Sequence, residues 1–382
     1  VPYVGVADDR LLGRTETRAG ADVYFARGGH RVNATLKPDF GQVESDALVV
    51  DFSAIEVFFS EKRPFFTENQ SLFDVPLGDG ALLVNTRRIG ARPDAGPEGV
   101  SEVDAAVKYT GVFGQADLGL LLASEEDSSQ ARGRDFRVLR GRWRAGEGEY
   151  GFSLTDTQRP TLDRESQVAV FDAQWRPREG VQLRAALGEA RVQDARRGDS
   201  DGGLLWLRLD HVASERFRQE YELNRYGRDL QLSDLGYLPR ADLTQLRARH
   251  TWYTRSWPEA SRVRDSAWNS QLLWQRNGAG ERVYASWELQ HRWSLRSAAE
   301  LSLFAVVAAP YVDDLVLRGN GSVRLPSQHV IGAFYESPRL GDWRFDIEVD
   351  AYQEGLSGWA RELEFTPTWF IGERFSTSLY AG

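Results

Sequence analysis

Strict alternation of apolar and polar side chains recurs along the chain and confines it to β-structure. In Phe217 to Asn224, Phe217, Tyr221 and Leu223 share a face with Gln219, while Arg218, Glu220, Glu222 and Asn224 take the other. Successive side chains of a strand point to opposite sides, so such a segment has one greasy and one charged face. Trp343, Phe345, Ile347, Val349 and Ala351 alternate in the same way with Arg344, Asp346, Glu348, Asp350 and Tyr352. Val283, Ala285, Trp287, Leu289 and Trp293 alternate with Tyr284, Ser286, Glu288, Gln290 and Arg292, with His291 breaking the apolar row. Val181, Leu183, Ala185 and Leu187 repeat the pattern. Wound into helices, these stretches would carry charge all round the cylinder. No block reads as a convincing amphipathic helix, which argues against a βαβ enzyme fold.

Short turn signals join the runs. Gly28-Gly29, Arg144 to Glu149, Pro177 to Gly180, Asn277 to Gly280 and Gly319-Asn320-Gly321 each separate two alternating stretches, as hairpins require. Glu125 to Arg134, Val192 to Gly203, Gly227 to Asp242 and Trp257 to Asp265 read as longer polar connections. Roughly twenty runs of about ten residues, with short links at one end and long links at the other, fit an up-and-down membrane barrel.

Alternation alone also fits a soluble sandwich, whose apolar face packs a shared core. Two features favour the membrane. An open sheet of so many strands leaves costly edges. Trp252, Trp257, Trp287, Trp293, Trp343 and Trp369 lie near run ends, and amphipathic rings prefer the headgroup zone. The expected fold is therefore all-β: a large antiparallel up-and-down transmembrane β-barrel of about twenty strands. It occupies residues 1–382 as one outer-membrane domain.

Composition removes other classes. A mean hydropathy of -0.46 and the lack of any apolar run near 20 residues speak against a helical membrane protein. Zero Cys excludes a disulfide scaffold, a thiolate metal site and a Cys nucleophile. The 47 basic and 56 acidic residues give a charge of -9 and are interleaved, which argues against nucleic acid as a partner. Val1 is not an initiator, Met is absent, and the pattern stops within Ser376 to Gly382. The chain is expected to be a piece of a longer one, truncated at one or both ends, so a missing signal peptide says little about compartment.

Residues 38–75 break the alternation and are expected to fold inward as a plug-like segment. Charge and aromatics are dense there. Asp39, Glu44 and Asp46 are three carboxylates within eight residues, a spacing that oxygen-seeking Ca²⁺ tolerates. They lack the glycine and terminal Glu of an EF-hand loop, so pairing with Arg side chains is favoured over metal binding. The candidate lumen and plug residues are Asp39, Gln42, Glu44, Asp46, Glu56, Glu61, Lys62, Arg63, Glu68, Arg87 and Arg88.

These residues also carry a resemblance. Asp39-Phe40-Gly41-Gln42-Val43-Glu44-Ser45-Asp46 and Phe58-Phe59-Ser60-Glu61-Lys62-Arg63-Pro64-Phe65-Phe66-Thr67-Glu68 resemble the signature stretch of the bacterial family known as domain of unknown function 5916. Asn85-Thr86-Arg87-Arg88-Ile89-Gly90 and Asp234-Leu235-Gly236-Tyr237-Leu238-Pro239-Arg240-Ala241-Asp242 are similar to its two later motifs. Ser60 stands where the family often has Pro. The resemblance implies an outer-membrane β-barrel that usually follows a sandwich similar to family 9 carbohydrate-binding modules. No such sandwich lies within these residues, so its sugar-binding positions carry over to none of them.

Catalytic patterns are missing. His30, His211, His250, His291 and His329 form no zinc-ligand spacing. There is no phosphate loop. Carboxylate pairs such as Glu220 and Glu222 read as a hydrated wall rather than a glycosidase pair. No enzyme activity, cofactor or metal is expected. The expected function is porin-like: transport or surface binding of small polar solutes, oligosaccharides among them, in a Gram-negative outer membrane. The alternatives are a non-conducting barrel anchoring a periplasmic carbohydrate-binding domain and, with least support, a membrane-embedded hydrolase. Expected partners are outer-membrane lipid and lipopolysaccharide, the barrel-assembly machinery and a carbohydrate ligand.

Overall fold

The computed structural model describes residues 1–9, 14–38, 54–96, 99–354 and 358–380. Among these, nineteen strands belong to one sheet and two more pair separately. The sheet is antiparallel and up-and-down, and its registered pairings join strands that follow one another in it. The strands are β1 (Pro2–Asp9), β2 (Arg14–Arg27), β3 (His30–Leu36), β4 (Val103–Phe113), β5 (Ala116–Glu125), β6 (Asp135–Ala145), β7 (Gly148–Arg159), β8 (Arg164–Arg178), β9 (Val181–Asp194), β10 (Ser200–Ser214) and β11 (Phe217–Tyr226). They continue as β12 (Leu243–Thr254), β13 (Val263–Arg276), β14 (Arg282–Leu295), β15 (Glu300–Ala308), β18 (Gln328–Glu336), β19 (Trp343–Glu354), β20 (Gly358–Ile371) and β21 (Phe375–Ser378). The separate pair is β16 (Tyr311–Asp313) and β17 (Val323–Leu325). No helix among the described residues is long and apolar enough to cross a membrane.

The chain divides into two compact units. The first holds Val1–Pro177, Leu183–Leu207 and Asn224–Asp242. Register makes its two faces readable. Val32, Tyr109, Leu120, Leu139, Leu154 and Ala169 stand in one cross-strand row from β3 to β8. All are half-buried or exposed. The adjoining row, Asn33, Lys108, Leu121, Val138, Thr155 and Val168, is on the opposite face and fully buried. A one-residue slip would exchange the two rows, so the pattern fixes the register.

What covers the second row is the irregular chain between β3 and β4, which runs to residue 102, well past residue 75. It buries Phe66, Leu72, Phe73, Val75, Leu77, Leu83 and Ile89. Gly119 of β5 makes room for it, since a Cβ there would lie 2.8 Å from the Phe73 ring and 3.0 Å from Leu72. The covered face is thus part apolar and part ionic, not the uniformly ionised wall that alternation suggested. The segment supplies its own greasy side chains and needs apolar partners beneath them.

The second unit holds Arg178–Gln182, Arg208–Leu223 and Leu243–Gly382. Here Trp252, Trp268, His291, Leu303, Ala333, Val349 and Leu363 form one row across β12 to β20. Every member is half-buried or exposed. Thr251, Asn269, Gln290, Phe304, Gly332, Asp350 and Glu362 form the row on the other face. Gly332 leaves space for the Phe304 ring beside it. Phe345 and Ile347 are only half-buried and Val349 is exposed, so these side chains do not enter a closed core.

Two connections differ from expectation. Val192 to Gly203 is mostly strand, because β9 and β10 extend into it and leave only residues 195–199 as a turn. Gly202 carries no apolar signal; a side chain is kept out there by the backbone of Leu230, which lies where a Cβ would be. Gly319-Asn320-Gly321 joins β16 to β17 in an excursion between β15 and β18, rather than two strands of the large sheet. Trp287 also differs, lying well inside β14.

Candidate functional site

The three motif-bearing stretches that are described meet in the first unit. Pro64–Thr67 forms one helical turn, α1, with Pro at its start, where the missing N–H costs nothing. The buried Lys108 amine of β4 caps its far end by donating to the carbonyls of Phe65 and Glu68. Glu68 in turn accepts from Asn33 Nδ2 at 2.7 Å. Just ahead of the turn, Glu61 and Arg63 close a fork: Arg63 Nε and Nη2 donate to the two carboxylate oxygens at 2.9 and 2.7 Å. Arg63 also donates to the carbonyls of Ile89 and Thr86 at 2.8 and 2.7 Å, and its guanidinium lies 4.3 Å over the Phe66 ring. Thr86 Oγ1 donates to Glu61 at 2.7 Å.

The turn at Thr86–Arg88 is fixed by Asn85, whose side chain accepts from the Arg87 amide. Arg87 Nε reaches the Ser60 carbonyl at 3.1 Å. Arg88 pairs with Glu56 through two parallel bonds of 2.7 and 2.6 Å and donates from Nε to the Gly236 carbonyl at 3.2 Å. Leu82 and Tyr237 exchange backbone hydrogen bonds at 2.8 Å, and the Asn85 amide donates to Leu235 at 2.7 Å. Residues some 150 positions apart therefore make one two-layered knot. Gly236 is required by close approach. A Cβ there would crowd the carbonyl oxygens of Leu82, Leu232 and Leu83. Gly236→Ala is expected to cost about 1–3 kcal/mol, since backbone cannot swing aside; a shift of the urea midpoint without a change in slope would measure it.

Around this knot runs a chain of buried ion pairs. Glu125, at the end of β5, accepts from Arg134 Nε and Nη2 at 2.6 and 2.7 Å. Arg134 approaches Asp94 at 4.0 Å. Asp94 accepts twice from Arg159, at 2.5 and 3.1 Å. Arg159 donates to Asp234 at 2.8 Å, and Arg164 donates to the same carboxylate at 2.9 and 2.6 Å. Arg164 ends on Asp194 at 2.9 Å. The Gly90 amide and the amides of Arg196 and Arg197 serve the two outer carboxylates. The side chains of Asp94 and Asp234 are each 2% exposed. Separately, Arg140 holds Asp172 by two bonds and donates to the Leu72 carbonyl at 3.2 Å, and Tyr226 Oη donates to the Leu77 carbonyl at 2.7 Å. The insertion is thereby tied to β4, β6, β7 and β11 and to the loop after β11.

Burial raises the Asp234 carboxyl, but the hydrogen bonds and charges of Arg164 and Arg159 outweigh it and leave the group below its ordinary value. Glu61 behaves alike: burial raises it, and Arg63 with Thr86 bring it lower. A carboxyl depressed on folding stabilises above its unfolded value and loses that contribution as pH falls through the folded one. The insertion is therefore expected to loosen progressively below about pH 5. Hydrogen exchange of residues 82–90 at pH 7 and pH 3.5 measures it, and equal protection would contradict it.

Of the candidate residues, Glu56, Glu61, Lys62, Arg63, Glu68, Arg87 and Arg88 all lie in this region, while Asp39, Gln42, Glu44 and Asp46 fall outside the described residues. Lys62 contributes its amide to Glu61. Sequence reasoning missed Asp94, Glu125, Arg134, Arg159, Arg164 and Asp194. Their one advance signal was position, since all but Asp94 sit at or beside a strand end. Among the described residues, no group of three or more His, Asp or Glu is placed to hold a metal ion.

Residues 1–114 match the family model of the domain of unknown function DUF5916. The matched part includes the stretches at 39–46, 58–68 and 85–90; the one at 234–242 lies beyond it. No curated protein matches the chain. Among solved structures, the siderophore receptor PirA from Pseudomonas aeruginosa aligns at 9% identity over 75% of this chain and 74% of its own, with a TM-score of 0.24.

Proposed function

We propose that this chain, with its DUF5916-like first third, is an outer-membrane β-barrel through which small polar solutes pass or to which they bind, with the β3–β4 insertion restricting the lumen. One observation carries the reading: the first unit exposes apolar side chains on one face and buries charged ones, among apolar neighbours, on the other. Phe171, Leu154, Leu122 and Val107 are exposed on one face, Phe171 at 64%. Lys108, Glu125, Arg134 and Arg140 are buried on the other. A water-soluble sheet gains by doing the reverse. A sheet facing hydrocarbon outward has no such choice.

The test is reconstitution. The protein is expected to need detergent for extraction from cells and to let liposomes swell in small sugars. Extraction by salt or buffer alone would overturn the membrane reading. A second reading, a closed barrel that only anchors a neighbouring domain, is favoured by the density of bonds holding the insertion. It predicts inserted protein with no swelling in any sugar.

A further inference from the structure

Glu56 and Phe58 belong to the insertion; both touch the knot described above, and both keep a large part of their side chains exposed. Phe58 is 45% exposed and Ile55, three residues earlier, is 41% exposed, on a segment that buries most of its other large apolar side chains. The Phe58 ring is not loose. Its centroid lies 5.3 Å from that of Tyr237, tilted by 51°, and Tyr237 is itself buried and donates from Oη to the Glu56 carbonyl at 2.9 Å. Beside the ring stands the Arg88–Glu56 fork. The Glu56 side chain is 53% exposed while the Arg88 side chain is 20% exposed, so the carboxylate offers its outer lone pairs. Arg88 is locked from behind by the Gly236 carbonyl.

An exposed ring with a rigid backing, flanked by an oriented carboxylate, contributes little to stability alone. Phe58 keeps close to half of its surface in water and with it that share of its hydration cost, and an ion pair this exposed adds little. It suits a ligand that is apolar on one face and hydroxylated at its edge. We infer that Phe58, with Ile55, is a stacking platform for a pyranose ring, and that Glu56, held by Arg88, accepts from the sugar's edge hydroxyls. An open-chain polyol has the same hydroxyls but no flat apolar face, so the platform discriminates against it. This rests on the solute-handling reading above and names the solute class and the contact residues.

The test is binding, measured on detergent-solubilised full-length chain and so independent of conduction. Titrations with methyl β-glucoside and maltose, with sorbitol as the open-chain control, are followed by calorimetry and saturation-transfer NMR. The expected result is saturable binding of both pyranosides, at least tenfold weaker with Phe58→Ala, restored with Phe58→Trp, reduced with Glu56→Gln, and no saturable binding of sorbitol. Phe58→Ala removes an exposed ring, and its near-ultraviolet spectrum should match the parent's. No saturable binding of either pyranoside to the folded parent protein would overturn the inference, as would equal binding by Phe58→Ala. A liposome that fails to swell while pyranosides still bind would count against the transport reading alone.

Discussion

Asp234→Ala is expected to destabilise the first unit by about 3–5 kcal/mol, the size seen when one partner of a buried pair is removed and the other charge is stranded. Two guanidiniums each lose one of two buried carboxylate partners here. Arg159 keeps Asp94 and Arg164 keeps Asp194, but the Asp234 pairs at 2.8 and 2.6 Å are both lost. Asp234→Asn should lie between, since an amide oxygen can still accept but carries no charge. The exposed pair Arg137–Asp156, whose Arg side chain is 50% exposed, supplies the contrast: Arg137→Met should change stability by no more than about 1 kcal/mol. Urea unfolding followed by tryptophan emission reports both. An Asp234→Ala midpoint equal to the parent's would show that the ion-pair chain is ornament rather than fastening.

Phe171→Arg separates the membrane reading from the soluble one most sharply. The ring is in the interior of β8, on the face opposite the covered row, and largely exposed. If that face meets hydrocarbon, a guanidinium there costs about 2–4 kcal/mol near the bilayer midplane. If it meets water, the same change is close to neutral or improves solubility. Unfolding from lipid vesicles is the measurement. Glu179→Arg, in the turn between β8 and β9, is the matched control and should change little. A Phe171→Arg variant as stable as the parent in vesicles would leave the outward apolar face without its proposed solvent.

The charged segment between β3 and β4 shows how far pattern reasoning reaches. Its dense carboxylates, arginines and aromatics mark residues 58–68 and 85–90 as unlike strands, and the meeting of Glu56 with Arg88 is short-range enough to be anticipated. Its length was not legible, because apart from residues 85–90 the stretch 76–102 shows neither alternation nor more charge than the rest of the chain. Nor was the ion-pair chain. Asp94, Arg159 and Asp234 are separated by 65 and 75 positions, and although Asp234 opens a motif, nothing local assigns it to the other two.

Alternation by itself determined that this protein is a many-stranded antiparallel sheet and which side chains share a face. That follows from backbone geometry, in which each strand residue points opposite to its neighbour whatever lies far away. Only the tertiary structure decided what the polar face meets in the first unit. There it is a packed, ion-paired insertion in place of water, because the partners of Lys108, Arg134, Arg140 and Arg164 are chosen by register and by chain returning from tens of residues away.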